Sequence, residues 1–182
     1  MNSRDYIASL ANTYIGCGAA KDKDKYLDLL ANDKDSAAMK ADMLKMSSCA
    51  LTVRGLWRKL GCTHKILLDP YKIGKAMSDV MTIGKDYKAW YTPKDQYQIG
   101  LGDAVIVGNP GHEHVFTITE LLGGLEFVSV DGGQGPGGTS IGECKRRWEM
   151  RSGKLTDINN SGSVRPILGY VDISKLGLKS DD

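Results

Sequence analysis

The sequence lacks the features that would assign it directly to a membrane, secreted or nucleic-acid-binding class. No window reaches the apolar length of a membrane span, and the N-terminal segment MNSRDYIASLANTYIG has no basic start, apolar centre and small-residue cleavage site. Charge is not concentrated in one sign either, because 24 Lys and Arg residues are scattered among 22 Asp and Glu residues. We therefore expect no membrane span and no nucleic-acid partner. We expect a chain made in the cytoplasm that stays there or leaves by a route that reads no cleavable signal.

Cysteine and histidine, the residues most often used for nucleophilic and metal chemistry, are scarce. The chain has four cysteines and three histidines: Cys17, Cys49, Cys62, Cys144, His64, His112 and His114. With 182 residues it can bury a core without disulfides, so we expect reduced thiols. The pairs Cys62-x-His64 and His112-x-His114 are more closely spaced than the ligand pairs of usual tetrahedral zinc sites. We therefore expect no metal and no organic cofactor.

The apolar pattern changes from helical to extended near the middle of the chain. Helical spacing predicts helices over 6–15 and from Cys49 to Leu60, which Gly61 ends, with shorter ones in KYLDLLAND, DSAAMKADMLKM and, opened by Asp69, DPYKIGKAMSDVM. Segments rich in Val, Ile, Thr and Phe predict strands in LGDAVIVGN, EHVFTITEL, LEFVSVDG and RPILGYVDISKL. The glycine-rich stretch DGGQGPGGTSIGE is predicted to be a loop. Helices first and strands second predict one α+β domain over residues 1–182, with an antiparallel sheet.

Cys49 stands at the start of a predicted helix, after two serines that can act as caps. A free cysteine is usually a small buried hydrophobe. At a helix N-terminus, however, the free amides and the helix dipole stabilise a thiolate, which is the nucleophilic form. The same amides can hold the oxyanion that forms when a thiolate attacks an acyl carbon. Cys49 is therefore the candidate nucleophile.

A thiolate nucleophile needs an acid and base, and His114 is the best placed of the three histidines. It begins the predicted strand HVFTITE, so a rigid element fixes its direction. Asp131 ends the next predicted strand, near the position that would pair with His114, and can orient the imidazole. Gln134 could serve instead if the following loop folds back, and Asn109 is a weaker candidate. The predicted catalytic residues are Cys49, His114 and Asp131.

Four segments occur in an order similar to that of NlpC-type and CHAP-type cysteine hydrolases: SSCALTVRGLWRKLGC, QIGLGDAVIVG, GHEHVFTI and FVSVDGGQG. The resemblance covers about residues 45 to 135. It implies a papain-like α+β fold, in which the Cys-bearing helix packs on an antiparallel sheet. It also implies the roles of nucleophile for Cys49, base for His114 and orienting residue for Asp131. The serine before Cys49 and the long segment ahead of it depart from the family pattern.

The resemblance further implies a peptidase or amidase that cuts the stem peptide or the sugar–peptide amide of bacterial peptidoglycan. We expect an antibacterial amidase toxin, delivered outside the cell or to a target cell's periplasm by a contact-dependent system such as type VI secretion. A cognate immunity protein would then be its partner. A phage-type lysin is the nearest alternative. An intracellular cysteine protease or acyltransferase, or a non-catalytic papain-like binding domain, also fits the residues.

Overall fold

The computed structural model describes residues 2–178, in which helices precede strands along the chain. The helices are α1 (Ser3–Asn12), α2 (Lys23–Leu30), α3 (Ala37–Met43), α4 (Cys49–Lys59), α5 (Lys65–Leu68) and α6 (Ala76–Asp86). The strands are β1 (Trp90–Tyr91), β2 (Ala104–Val107), β3 (His114–Gly123), β4 (Glu126–Gln134), β5 (Ser140–Arg151), β6 (Lys154–Asn159) and β7 (Val164–Val171). Short 3-10 helices lie at Pro136–Gly138 and Ile173–Lys175.

Strands β2 to β7 form a closed antiparallel barrel. Each strand from β2 to β6 pairs with the next, and β7 pairs with β6 through its first residues and with β2 through its later ones. The two-residue strand β1 joins the end of β7. The predicted papain-like fold, a Cys-bearing helix packed on an antiparallel sheet, is therefore wrong. The helix does lie against strands β3 and β4, but those strands belong to a barrel.

The barrel was not predicted because the two strands that close it, β5 and β6, carry many charged residues. Within β5, Cys144, Arg146 and Trp148 are buried, and the residues between them are exposed. This is the alternation of a half-buried strand, but an arginine occupies one of its inward positions. In β6, Asp157 is buried in the same way. A strand with charged residues at its inward positions does not show the apolar alternation by which strands are predicted. These charges can be buried because each is paired with an opposite charge.

Two apolar cores lie on opposite sides of the barrel wall. In β2, Val105 and Val107 belong to the core inside the barrel, which also includes Phe116, Phe127, Trp148 and Tyr170. Ala104 and Ile106 of the same strand face the second core, which the helices complete. Because both faces of β2 are covered, its sequence AVIV is continuously apolar rather than alternating.

Several predicted boundaries also differ from those observed. The glycine-rich stretch is not one loop, because β4 continues to Gln134 and β5 begins at Ser140. The helix expected to open at Asp69 begins instead at Ala76. The last predicted strand is present as β7.

Within residues 2–178, no helix combines the length and the apolar composition needed to cross a bilayer.

Candidate active site

Cys49 is the first residue of α4, as predicted, and its side chain lies in the core between that helix and the barrel. The preceding Ser48 does not cap the helix with its side chain. Its Oγ instead accepts a hydrogen bond from the backbone N–H of Gly133, at 2.9 Å. The expected capping role is therefore wrong for Ser48, which links α4 to the end of β4.

Two glycines allow β4 to approach the helix this closely. A Cβ atom on Gly132 would lie 2.2 Å from Oγ1 of Thr52 and 2.6 Å from the carbonyl oxygen of Ser48. Gly133 has φ of +78°, a conformation that residues with a side chain rarely adopt. A Cβ there would also lie 3.5 Å from Cβ of Cys49. The sequence Asp131-Gly132-Gly133 thus brings the carboxylate strand against the thiol-bearing turn.

His114 and Asp131 form a direct hydrogen bond. His114 is the first residue of β3, and its Nε2 lies 2.6 Å from Oδ2 of Asp131 on β4. The Asp131 side chain is fully buried, whereas that of His114 is 13% exposed. Cys49 also forms a hydrogen bond with the His114 ring, and because Nε2 is bonded to the carboxylate, Nδ1 is the ring nitrogen that remains for it. The structure thus brings Cys49, His114 and Asp131 together in the order thiol, imidazole, carboxylate.

The surroundings of Cys49 and His114 favour a thiolate–imidazolium pair. Burial alone would raise the pKa of the Cys49 thiol, but the hydrogen bond and the charge of His114 outweigh it and lower that pKa. Burial opposes protonation of His114, yet the hydrogen bonds and charges of Asp131 and Cys49 raise its pKa to about 9. Cys62 and Cys144 differ, because burial raises the pKa of both thiols. Cys49 is thus the activated thiol of these three.

Arg146 on β5 completes the site and is not among the residues predicted from the sequence. Its guanidinium forms ion pairs with Asp131 and Asp157, and its Nε donates to Oγ of Ser129 at 2.7 Å. The guanidinium carbon lies 3.7 Å from the centre of the Phe116 ring. Burial would raise the pKa of Asp131, but the charge of Arg146 and the hydrogen bond from His114 lower it. The alternation of Arg146 with buried Cys144 and Trp148 is the signal that could have revealed this arginine.

The other residues considered from the sequence lie outside this arrangement. Gln134 follows the site, but in residues 2–178 its side chain makes no hydrogen bond to His114, so Asp131 is the residue that contacts the imidazole. His112 lies in the exposed turn before β3, where its N–H bonds to the carbonyl of Asn109. His64 contacts Asp86, with 3.0 Å between Nε2 and Oδ2. Within residues 2–178, no cluster of three metal-ligating side chains occurs.

A small polar pocket adjoins the site on the histidine side. Its volume is about 230 Å³, and His114, Gly133, Gln134 and Arg146 are among its lining residues. A larger groove of about 800 Å³ lies among the helices, between residues such as Asp28 and Lys40. That groove contains no residue of the Cys49 site, so it is separate from the candidate site.

Comparisons with known proteins add no family assignment: no family model, no curated protein and no solved structure matches the chain. The similarity to NlpC-type and CHAP-type hydrolases therefore stays a prediction from the sequence order of four segments. The geometry of Cys49, His114 and Asp131 is independent of that similarity.

Proposed function

We propose that the protein is a cysteine hydrolase that cleaves amide bonds by acyl transfer. The observation that carries the proposal is the chain of contacts from Cys49 through His114 to Asp131 at the N-terminus of a helix. A lowered thiol pKa beside an imidazole that a buried carboxylate orients is the arrangement that nucleophilic catalysis needs. A merely packed cysteine would need neither the histidine nor the carboxylate.

In the first half-reaction the Cys49 thiolate attacks the carbonyl carbon of the amide. A C–S bond forms and the carbonyl oxygen becomes an oxyanion. The backbone N–H of Cys49 can donate to this oxyanion, because it has no acceptor among residues 2–178. As the C–N bond breaks, the His114 imidazolium gives its proton to the departing amine.

In the second half-reaction neutral His114 takes a proton from water, and the water oxygen attacks the acyl carbon. The C–S bond then breaks, the carboxylic acid product leaves, and the thiolate is restored beside the imidazolium. Asp131 keeps its negative charge throughout, because the adjacent Arg146 and the hydrogen bond from His114 hold its pKa low. Its part is to orient the ring and to stabilise the imidazolium.

Our proposal for the substrate is an amide of bacterial peptidoglycan, and it rests on the sequence resemblance. The role of antibacterial amidase toxin, delivery to a target cell's periplasm and a cognate immunity protein rest on the same resemblance. The catalytic proposal does not depend on them, since it needs only the three residues and an accessible amide.

The test is digestion of purified peptidoglycan with the wild type and with Cys49→Ala, followed by mass spectrometry of the products. We expect products from the wild type, none from Cys49→Ala, and wild-type yields from the matched control Cys144→Ala. Products that persist in Cys49→Ala would refute the mechanism. If the wild type releases none, peptidoglycan is the wrong substrate, and the rate at which iodoacetamide labels Cys49 relative to the other thiols then tests the nucleophile separately.

A further inference from the structure

The pocket beside His114 is built mainly from hydrogen-bond donors. Besides His114, Gln134 and Arg146, its walls include Asn159, Ser163 and Arg165 from the turn between β6 and β7 and its flanks, and one carboxylate, that of Asp157. The Asn159 Oδ1 already accepts hydrogen bonds from Ser161 and Ser163, including the Ser163 N–H at 2.9 Å. Its amide nitrogen is therefore the part of this side chain that remains to bind another molecule.

Arg165 adds a positive charge to this pocket, and no carboxylate of the described chain lies within ion-pair distance of it. The backbone of Arg165 pairs with that of Asp157 across β6 and β7, which places the two side chains on one face. Asp157, however, is bound by Arg146 and by Nε1 of Trp148, the latter at 3.2 Å. Within residues 2–178, Arg165 forms no ion pair, although it is partly buried.

The position of the pocket indicates which part of a substrate would occupy it. In acyl transfer the amine leaves on the side of the acid that protonates it, which here is His114. The pocket is lined by His114 and by Gly133, and a Cβ atom on Gly133 would lie 3.5 Å from Cβ of Cys49, so the pocket is adjacent to both. Its volume of about 230 Å³ is below the usual range for a drug-sized ligand, so it suits one amino-acid residue.

We propose that this pocket binds the leaving-group residue of the substrate through a carboxylate, with Arg165 as the counter-ion. The inference rests on the proposed function, since it assigns the two sides of the scissile amide from Cys49 and His114. It makes the substrate class an amide whose amine-side residue carries a free carboxylate close to the cleaved bond. Asn159 and Gln134 would add neutral donors to the same group.

The test compares two alkylating reagents, N-bromoacetylglycine and N-bromoacetylglycinamide, which differ only in a carboxylate or a carboxamide. With either reagent the Cys49 thiolate displaces bromide, so a C–S bond forms as the C–Br bond breaks. The rate of Cys49 labelling is followed by mass spectrometry, and the acid-to-amide rate ratio is compared between variants. Intrinsic differences between the reagents cancel in this comparison.

We expect the ratio in the wild type to exceed that in Arg165→Gln by roughly tenfold, the lower limit for a hydrogen bond to a charged group. Arg165→Lys keeps a positive charge and should retain part of the preference, which also guards against a folding defect of the glutamine variant. Arg151→Gln is the matched control, because it removes an exposed arginine at the far end of β5, and it should leave the ratio unchanged.

Two outcomes would contradict the proposal, and they are distinguishable. If Cys49 is labelled faster than the other thiols but the ratio is the same in the wild type and Arg165→Gln, the pocket assignment is wrong and the nucleophile stands. If neither reagent labels Cys49 faster than Cys17, Cys62 or Cys144, the proposed function fails and this inference fails with it.

Discussion

Two buried aspartates in this protein each pair with an arginine, but only one of them contacts a histidine. Asp103 lies immediately before β2 and binds Arg4 from α1, with 2.7 Å between Nη1 and Oδ1. Asp131 lies near the end of β4 and binds Arg146 from β5. Both carboxylate side chains are fully buried. The two sites therefore start from the same interaction and differ in what else surrounds the carboxylate.

The carboxylate of Asp103 is bonded only to groups that hold the fold together. Its Oδ2 accepts from the Tyr97 hydroxyl and the Gly100 N–H, both at 2.7 Å, and its Oδ1 accepts from the Ile173 N–H at 3.2 Å. Burial raises the pKa of Asp103 despite these donors and Arg4. The Gly-Asp pair of the segment QIGLGDAVIVG is therefore a structural junction between the first helix, the loop before β2 and the end of β7.

The two carboxylate oxygens of Asp131 have different partners, one within its own strand and the other in the candidate site. Oδ1 accepts from the Ser129 hydroxyl at 2.5 Å, whereas Oδ2 bonds to both Arg146 and His114. The two buried Arg–Asp pairs therefore differ in one contact, because a histidine shares the carboxylate of Asp131 and none shares that of Asp103 in the described residues. The net shift of the pKa differs accordingly, being upward for Asp103 and downward for Asp131.

The largest effect should come from replacing each aspartate by asparagine. Asp131→Asn removes the charge that stabilises the imidazolium and fixes its tautomer, so hydrolysis should fall by roughly 10²- to 10⁴-fold per folded molecule. Asp103→Asn should lower the free energy of unfolding by about 1–3 kcal/mol and leave the rate per folded molecule unchanged. Rates are measured on an amide substrate and normalised to the folded fraction from circular dichroism.

Gln134→Ala is the control that separates the two residues proposed for the third position. Of these two residues, only Asp131 hydrogen-bonds to His114 within residues 2–178, so Gln134→Ala should change hydrolysis only a few-fold. An equal or greater loss in Gln134→Ala than in Asp131→Asn would reverse the assignment of the orienting residue. A loss of hydrolysis per folded molecule in Asp103→Asn would contradict the purely structural role assigned to Asp103.

The next effect concerns the arginines. Arg146→Met leaves Asp131 and Asp157 without their shared cation in the barrel wall, and removing one partner of a buried ion pair costs about 3–5 kcal/mol. Arg4→Met should cost less, because the Arg4 side chain is 26% exposed and Asp103 keeps its other donors. Urea unfolding measures both values, and a larger loss in Arg4→Met would contradict the ranking.

The three candidate residues predicted from the sequence lie together in the structure, whereas the predicted papain-like fold is wrong, because the two predictions depend on different signals. Cys49 at a helix start and His114 at a strand start are local features, and the hairpin of β3 and β4 follows from local alternation. Barrel closure depends on β5 and β6, whose inward positions include Arg146 and Asp157. Those charges can be buried only beside each other and Asp131, and pairings of this kind cannot be identified before the strands are placed.

The smallest effect is a pH dependence that should appear only when Cys49 is removed. The lowered pKa of Cys49 and the raised pKa of His114 favour a thiolate beside an imidazolium in the folded wild type, and such a pair holds one proton. The unfolded chain also holds one between pH 6.5 and 9, on the thiol, because the ordinary values are 6.5 for histidine and 9.0 for cysteine. Equal proton counts give no slope of stability with pH from this pair.

In Cys49→Ala only the imidazole remains, and Asp131 still favours its charged form. A histidine whose pKa is raised on folding stabilises the folded state fully below pH 6.5, and this stabilisation is lost as the pH rises towards the pKa in the folded state. That pKa is about 9 in the wild type and is lower without the thiolate. The free energy of unfolding should therefore fall above pH 6.5 by at most about 1.4 kcal/mol per pH unit, relative to Cys49→Ala combined with His114→Gln. Urea titrations at several pH values measure it. If the difference in unfolding free energy between the two variants does not change with pH, Asp131 does not hold His114 protonated. If the unfolding free energy of the wild type falls with pH as steeply as that of Cys49→Ala, Cys49 is a neutral thiol beside an imidazolium.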